Sequence, residues 1–243
     1  MSKSLHQMRI PLGQDAQPSM TLEYDPDTVY APTAYSSVLL TRNLHVNDGE
    51  VSLDLCTGTG IYAISMAMRG ARHVVAVDLL AAPLATARHN AELNRVAECI
   101  DFRQGSLFDP IAAGEKFSLI VSNPPCMPDP GTTTLQLPGE TMLSGSDGSH
   151  HAEQILLHAP EYLLPGGRLV FTYPSTSNPN KIFKLLDERY EFEILSQIET
   201  PFYMHFLELW DYLIEMKAHG LADFHEIDGV PYRTYWLIEA RVK

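Results

Sequence analysis

Apolar and polar positions along this chain follow two rhythms, one of period two and one of helical period, and the chain switches between them repeatedly from residue 51 to residue 174. Val51-Ser52-Leu53-Asp54-Leu55 alternates and then runs into glycines, the pattern of a strand feeding a tight turn. Ile61 to Arg69 repeats at the helical period. His73-Val74-Val75-Ala76-Val77-Asp78 is a short apolar run of the buried-strand type, and an alanine-rich helix is expected from Pro83 to Asn94, with Pro83 near its first turn. Strands are expected near Ile100 to Gln104 and at Phe117 to Ser122. The stretch from Asn123 to about Gly148 is rich in Pro, Gly and Thr and reads as a long loop, a feature that usually carries function. A helix from about His151 to Leu164, a turn at Pro165-Gly166-Gly167 and a strand from Arg168 to Tyr173 close the series.

Strand and helix units repeated with short connections specify an α/β fold, a mostly parallel sheet covered by helices on both faces. The flanks differ. Residues 1–33 carry Pro11, Pro18, Pro26 and Pro32 among polar positions and read as an irregular arm or a short hairpin, followed by a helix from Tyr35 to Leu44. Residues 1–46 are therefore set apart as an N-terminal arm and helix, and 47–243 as the main domain. Beyond Tyr173 a helix near Lys181 to Arg189 and a strand near Glu191 to Gln197 are expected. An aromatic-rich helix from Phe202 to about His219 is then inserted before a last strand at Tyr232 to Val242.

Composition narrows the class. The 243 residues are 45% hydrophobic and 19% charged, enough apolar material for one large domain and too little charge for a disordered chain. Thirty acids against seventeen Lys and Arg give a formal charge of −13, which opposes a broad grip on nucleic acid. No apolar run reaches the ~18 to 20 residues that cross a bilayer, and the first residues lead into no signal-like stretch, so a cytoplasmic protein without membrane contact is expected. Cys56, Cys99 and Cys126 have no paired spacing, so neither a disulfide nor a metal site is expected.

The densest chemistry lies at Asp54-Leu55-Cys56-Thr57-Gly58-Thr59-Gly60, a strand end turning into a helix start. Glycines there let a ligand approach the backbone, and the helix N-terminus offers unpaired N–H donors. Gly58-Thr59-Gly60-Ile61-Tyr62-Ala63 fits the dinucleotide fingerprint, with Asp78 twenty residues on to hold a ribose, so a nicotinamide oxidoreductase is one reading. Against it, Asp54 would place a carboxylate beside a docking pyrophosphate. The same carboxylate favours a cationic ligand. S-adenosylmethionine carries an ammonium, a sulfonium and a ribose diol, and no phosphate.

Together with Val75-Ala76-Val77-Asp78, Gly105-Ser106-Leu107-Phe108-Asp109 and Ser122-Asn123-Pro124-Pro125, this stretch resembles the class I S-adenosylmethionine-dependent methyltransferases over about Val51 to Tyr173. The resemblance implies a Rossmann-like, seven-stranded sheet and S-adenosylmethionine as cofactor. It puts Asp54 and the backbone of Gly58 and Gly60 at the methionine end, Asp78 on the ribose hydroxyls and Ser106-Leu107 against the adenine; Cys56, Thr57, Leu79 and Asn123 complete the cofactor-side candidates. Family members often carry Gly at the position of Cys56 and Asp at that of Ser106.

Asn123-Pro124-Pro125-Cys126 points to the reaction. Successive prolines lack N–H groups and fix φ, so the Pro124 carbonyl and the Asn123 side-chain oxygen form a rigid pair of acceptors suited to a planar N–H donor. The run is similar to the Asn-Pro-Pro-Tyr of methyltransferases that act on amide or exocyclic amino nitrogens, and Gly145-Ser146-Asp147-Gly148 with Leu164-Pro165-Gly166-Gly167 is similar to the release-factor glutamine methyltransferases. The resemblance thus implies N-methylation, with Asn123 and Pro124 as catalytic candidates. Cys126 replaces the aromatic residue of that motif, and without its ring roughly 1 to 3 kcal/mol of base stacking is lost, which lowers the nucleic-acid reading.

The acceptor stays open among an amide, amine or guanidine nitrogen of an amino acid, a small metabolite or a protein side chain. Residues 187–228 hold eleven acids against Arg189 and Lys217, −9 of the total −13; they read as a solvated face or as a roof favouring a cationic acceptor. Tyr30, Pro125, Cys126, Asp129, Glu140 and Asp147 are the substrate-side candidates. His150 and His151 are adjacent on a forming helix, point about 100° apart and find no second cluster for a metal. The alternatives are an rRNA or tRNA base amino-group methyltransferase and, outside the class, a nicotinamide oxidoreductase or a non-catalytic cofactor-binding module.

Overall fold

The computed structural model of the protein describes residues 5–12, 18–32, 35–131, 142–202 and 204–243. The centre of its sheet is built from mainly apolar strands that are buried on both faces. Strands β3 (Val51–Leu55), β4 (His73–Asp78), β5 (Ile100–Gln104), β6 (Phe117–Ser122) and the first part of β7 (Leu163–Pro174) run parallel in the order β5-β4-β3-β6-β7. Every residue of β3 after Val51 and the four central residues of β4 are buried, as expected for strands covered on both sides. Two long antiparallel strands, β10 (Val230–Val242) and β8 (Tyr190–Pro201), extend the sheet beyond β7, and the short β9 (His225–Ile227) pairs with β10. Seven strands thus form the continuous path, with β9 as an eighth beside it.

The crossover helices are α2 (Ile61–Met68), α3 (Ala81–Leu93), α4 (His150–His158) and α5 (Pro179–Arg189), with α1 (Tyr35–Asn43) preceding the first of these strands. One apolar cluster, including Leu40, Ile64, Met66, Leu119 and Leu237, lies on one face of the sheet, and a second, including Leu53, Leu156, Phe171 and Ile182, lies on the other. The N-terminal segment forms a hairpin of β1 (His6–Pro11) and β2 (Ser19–Tyr24), and its alternate residues Ile10, Met20 and Leu22 enter the first cluster. Asn90 of α3 and Asn94, which caps its C-terminus, tie β2 down through its backbone at Glu23 and Thr21.

The aromatic-rich insert is two helices, α6 (Met204–Glu208) and α7 (Trp210–Ala218), where one was expected. Phe202, Phe206, Leu209, Leu213 and Phe224 form a third cluster with Met127, so the insert is bound to the long loop after β6. Among the described residues no helix is long and apolar enough to cross a membrane.

The connections β3-α2-β4-α3-β5 proceed towards one edge of the sheet, and the chain then returns to place β6 on the other side of β3. Adjacent loops diverge at this reversal, and a crevice opens beyond the carboxyl ends of β3, β4 and β6. The sequence motifs sit there.

Candidate active site

A cavity of about 270 Å³ occupies that crevice. Its floor is the turn after β3. Cys56, Gly58 and Gly60 all have positive φ, at 61°, 55° and 81°, which winds five residues into a tight loop. Thr57 N–H donates to Val77 O at 2.9 Å and Gly60 N–H to Thr57 O at 2.9 Å, so strand and turn hold each other. Gly is favoured at position 56 because the left-handed region costs a side-chain-bearing residue roughly 1 to 2 kcal/mol, and here a cysteine occupies it.

The two carboxylates of the motif occupy different places. Asp78 lines the cavity at the end of β4, where Oδ2 accepts from Gly58 N–H at 2.9 Å and Oδ1 from Leu80 N–H at 3.1 Å. Burial pushes its carboxyl above the usual range, against those backbone donors. Asp54 is 0% exposed and lies beneath the turn rather than on the cavity wall. Its Oδ2 accepts from the Thr57 hydroxyl at 2.7 Å and from Ala63 N–H at 3.0 Å, so it caps α2 from the preceding strand. Oδ1 has no hydrogen-bond partner among the described residues, and burial raises the carboxyl to about 7.

The glycines divide in the same way. Gly58 borders the cavity; a Cβ on it would meet only Val29 Cγ2 at 3.8 Å, and its N–H is spent on Asp78. A Cβ on Gly60 would lie 3.0 Å from Ala87 Cβ and 3.1 Å from its Cα, so Gly60 serves the approach of α3 to the turn. Thr57, Leu79, Ser106 and Leu107 line the same cavity, Leu107 with φ 46°.

Beyond β6 the wall is Asn123, Pro124, Pro125 and Cys126. Asn123 Oδ1 accepts from the Thr172 hydroxyl at 2.5 Å, and its Nδ2 donates to Ser36 Oγ at 3.3 Å. A strand on one side and the N-terminal helix on the other therefore fix the plane of this amide and the end that carries oxygen. Cys126 is held through its carbonyl, which accepts from Ser177 Oγ at 2.6 Å, and its thiol hydrogen-bonds Tyr235. A Cβ on Gly148, whose φ is 75°, would stand 2.6 Å from that carbonyl and 2.9 Å from Ser177 Cβ. Gly148→Ala is therefore expected to destabilise the fold by ~2–3 kcal/mol, through left-handed strain and overpacking against a fixed carbonyl; chemical denaturation of the variant beside wild type measures it.

Tyr30 lines the cavity from the N-terminal side. Asp129 and Asp147 are absent from its wall. Asp129 Oδ1 accepts from Gly131 N–H; Asp147 accepts from Ser149 and from Asn178 Nδ2 at 2.7 Å, with Lys181 4.0 Å away. Glu140 lies outside the described residues. The structure adds residues that spacing alone did not bring forward: Ser36, His151, Phe206 and Tyr235 line the cavity, and Thr172 stands behind Asn123. The buried Arg233 guanidinium lies 3.6 Å from the Phe206 ring centroid and 4.7 Å from that of Tyr235.

The described lining contains no Lys or Arg. A carboxylate on the wall and a second beneath the turn with an orphaned buried oxygen suit a cationic cofactor with a ribose diol and oppose a docking pyrophosphate. Residues 33–192 match the methyltransferase small domain family model. The chain belongs to this family. The cofactor of this methyltransferase domain is S-adenosylmethionine, and the donor set fits it.

Among relatives, a Methanocaldococcus jannaschii protein named as a protein N5-glutamine methyltransferase is 31% identical over 180 residues, 72% of this chain and 87% of its own length. The release factor glutamine methyltransferase of Vibrio cholerae is 39% identical over 132 residues, 52% of this chain and 46% of that protein. The chain thus spans about half the length of the Vibrio relative and most of the archaeal one. A solved 16S rRNA N2 methyltransferase of T. thermophilus, in complex with AdoMet and guanosine, superposes with a TM-score of 0.63 at 20% identity, covering 99% of this chain and 50% of that one, and establishes the fold.

Proposed function

We propose that this methyltransferase domain methylates the side-chain amide nitrogen of a protein glutamine, and that a release factor is the protein. The reading is carried by the Asn123 side-chain oxygen, held by Thr172 and followed by Pro124 on the wall of a cavity whose other half suits S-adenosylmethionine. The names of the relatives add the acceptor class.

Asp78 would hold the ribose hydroxyls, Asp54 would offset the positive charge of the methionine end from beneath the turn, and Ser106 and Leu107 would face the adenine. When bound, this cofactor supplies an electrophilic methyl group on sulfur. The protein's part is alignment: Asn123 and Pro124 accept the two N–H bonds of a primary amide, and the nitrogen is thereby turned towards the cofactor half. Tyr30, Pro125 and Cys126 would border the acceptor. A cationic acceptor has less support, because Asp129 and Asp147 are engaged outside the cavity and the Arg233 guanidinium lies against Phe206 and Tyr235, which line it. In this reading residues 1–46 are an N-terminal arm and helix, and 47–243 are the methyltransferase domain.

The test is incubation of the purified protein with methyl-labelled S-adenosylmethionine and bacterial release factors, followed by peptide mass spectrometry. One added methyl on a glutamine side chain is expected. Label in purified transfer or ribosomal RNA that disappears with Asn123→Ala would replace this reading by the RNA one.

A further inference from the structure

The adjacent histidines of α4 are parted by the fold. His150 is exposed, whereas His151 is half-buried and reaches the cavity. Its place there is set by the loop after β6. Met127 N–H donates to Met142 O at 2.9 Å and Ser144 N–H to Met127 O at 2.8 Å, so Ser144 is bound one residue past the Asn-Pro-Pro-Cys run. Ser144 in turn holds His151 twice: its Oγ accepts the His151 backbone N–H at 2.9 Å and lies 2.8 Å from ring Nδ1. His151 therefore stands in the acceptor half, with Met127, Leu143, Phe206 and Tyr235.

Hydrogen-bond accounting sets the tautomer. Ser144 is fully buried, and among the described residues its hydroxyl has no partner besides these two. With a proton on Nδ1, the serine oxygen would accept twice and its own hydrogen would be buried without an acceptor, a costly arrangement. With the hydroxyl donating to Nδ1, every group is satisfied and the ring proton sits on Nε2. Burial, with His150 alongside, holds the imidazole below the ordinary histidine value, so the ring is neutral at pH 7. Nε2 has no hydrogen-bond partner among the described residues.

We propose that His151 Nε2–H donates to the carbonyl oxygen of the acceptor amide while Asn123 and Pro124 accept from its nitrogen. The inference rests on the amide reading above and narrows it. Acceptors for the N–H bonds and a donor for the adjacent oxygen match a primary carboxamide at both ends. An amine or a guanidine has no oxygen for that donor, and a site built around a hydrogen bond rejects ligands that leave it unmade. His151 is thus a specificity residue, expected to act on acceptor binding more than on the transfer step.

Two measurements test this. In the full-length protein with S-adenosylhomocysteine bound, nitrogen NMR of labelled histidine, assigned by loss of the signal in His151→Phe, is expected to show the ring proton on Nε2 and a bare Nδ1. The reverse tautomer overturns the proposal whatever the acceptor proves to be. With release factor as acceptor, His151→Phe is expected to raise KM roughly 10 to 100-fold, the range of one lost hydrogen bond, and to leave kcat within about threefold. His151→Gln, which puts an N–H donor near the position of Nε2, is expected to recover most of the loss, and calorimetry with S-adenosylhomocysteine is expected to give equal affinity in all three proteins. A wild-type KM in His151→Phe, or transfer by the wild-type protein to an alkylamine undiminished in that variant, overturns the assignment. A release factor left unmodified by the wild-type protein counts against the acceptor class itself, and the tautomer then decides separately whether the cavity presents this donor.

Discussion

Replacing Asn123 with alanine is expected to lower turnover at least ~100-fold, equivalent to two to three kcal/mol of lost orientation and transition-state hydrogen bonding. The size follows from how the residue is held. Thr172 donates to its oxygen and Ser36 accepts from its nitrogen, so the remaining lone pair of Oδ1 is aimed without any rearrangement at the moment of reaction. S-adenosylmethionine affinity should stay within about threefold, because the turn after β3 and the end of β4 are untouched. Calorimetry and single-turnover methyl transfer separate the two effects. Turnover at the wild-type level, on whichever acceptor is found, would make the Asn-Pro-Pro run a structural element only.

Replacing Asp78 with alanine is expected to weaken S-adenosylmethionine binding roughly 10 to 100-fold, the range for hydrogen bonds to a charged group. Each Asp78 oxygen already accepts one backbone N–H, from Gly58 and from Leu80, and keeps a lone pair for a ribose hydroxyl. The loss therefore includes order in the turn, since Gly58 N–H is released with the carboxylate. Asp78→Asn separates the parts, because an amide oxygen can still accept while the charge is gone. Unchanged affinity for S-adenosylhomocysteine in Asp78→Ala would remove this residue from the cofactor site.

Most elements of the fold were legible before any coordinates. Val51–Leu55, His73–Asp78, Ile100–Gln104 and Phe117–Ser122 are strands at the expected bounds; for His73–Asp78 and Phe117–Ser122 the reason is that a sheet buried on both faces demands mainly apolar runs. The methyltransferase class was legible because four ordered motifs, at Asp54–Gly60, Val75–Asp78, Gly105–Asp109 and Ser122–Pro125, together resemble that family, whereas the glycine turn alone fits a dinucleotide site as well. The choice of a hairpin over an irregular arm at the N-terminus, the division of the aromatic insert into two helices and the extension of β7 back to Leu163 were not, since each is settled by what packs against the segment.

The site divides along the same line. Asp78, Gly58, Ser106, Leu107, Asn123 and Pro124 sit at the ends of strands, where position along the chain determines position in space, and all of them line the cavity. Asp129 and Asp147 belong to a loop whose course depends on distant partners, and hydrogen bonds to Gly131, Ser149 and Asn178 turn them away from it. Ser36, Thr172, His151, Phe206 and Tyr235 come from elements far apart in sequence and carry no common spacing, so only the tertiary structure could assemble them. The sequence by itself determined the central strands, the glycine turn after β3 and the Asn-Pro-Pro run that ends β6, because each rests on local backbone geometry. Which hydroxyls hold Asn123, which carboxylate faces the cavity and which of the two adjacent histidines reaches it were decided by contacts across the fold, where burial and hydrogen-bond satisfaction select among residues that look alike in a chain.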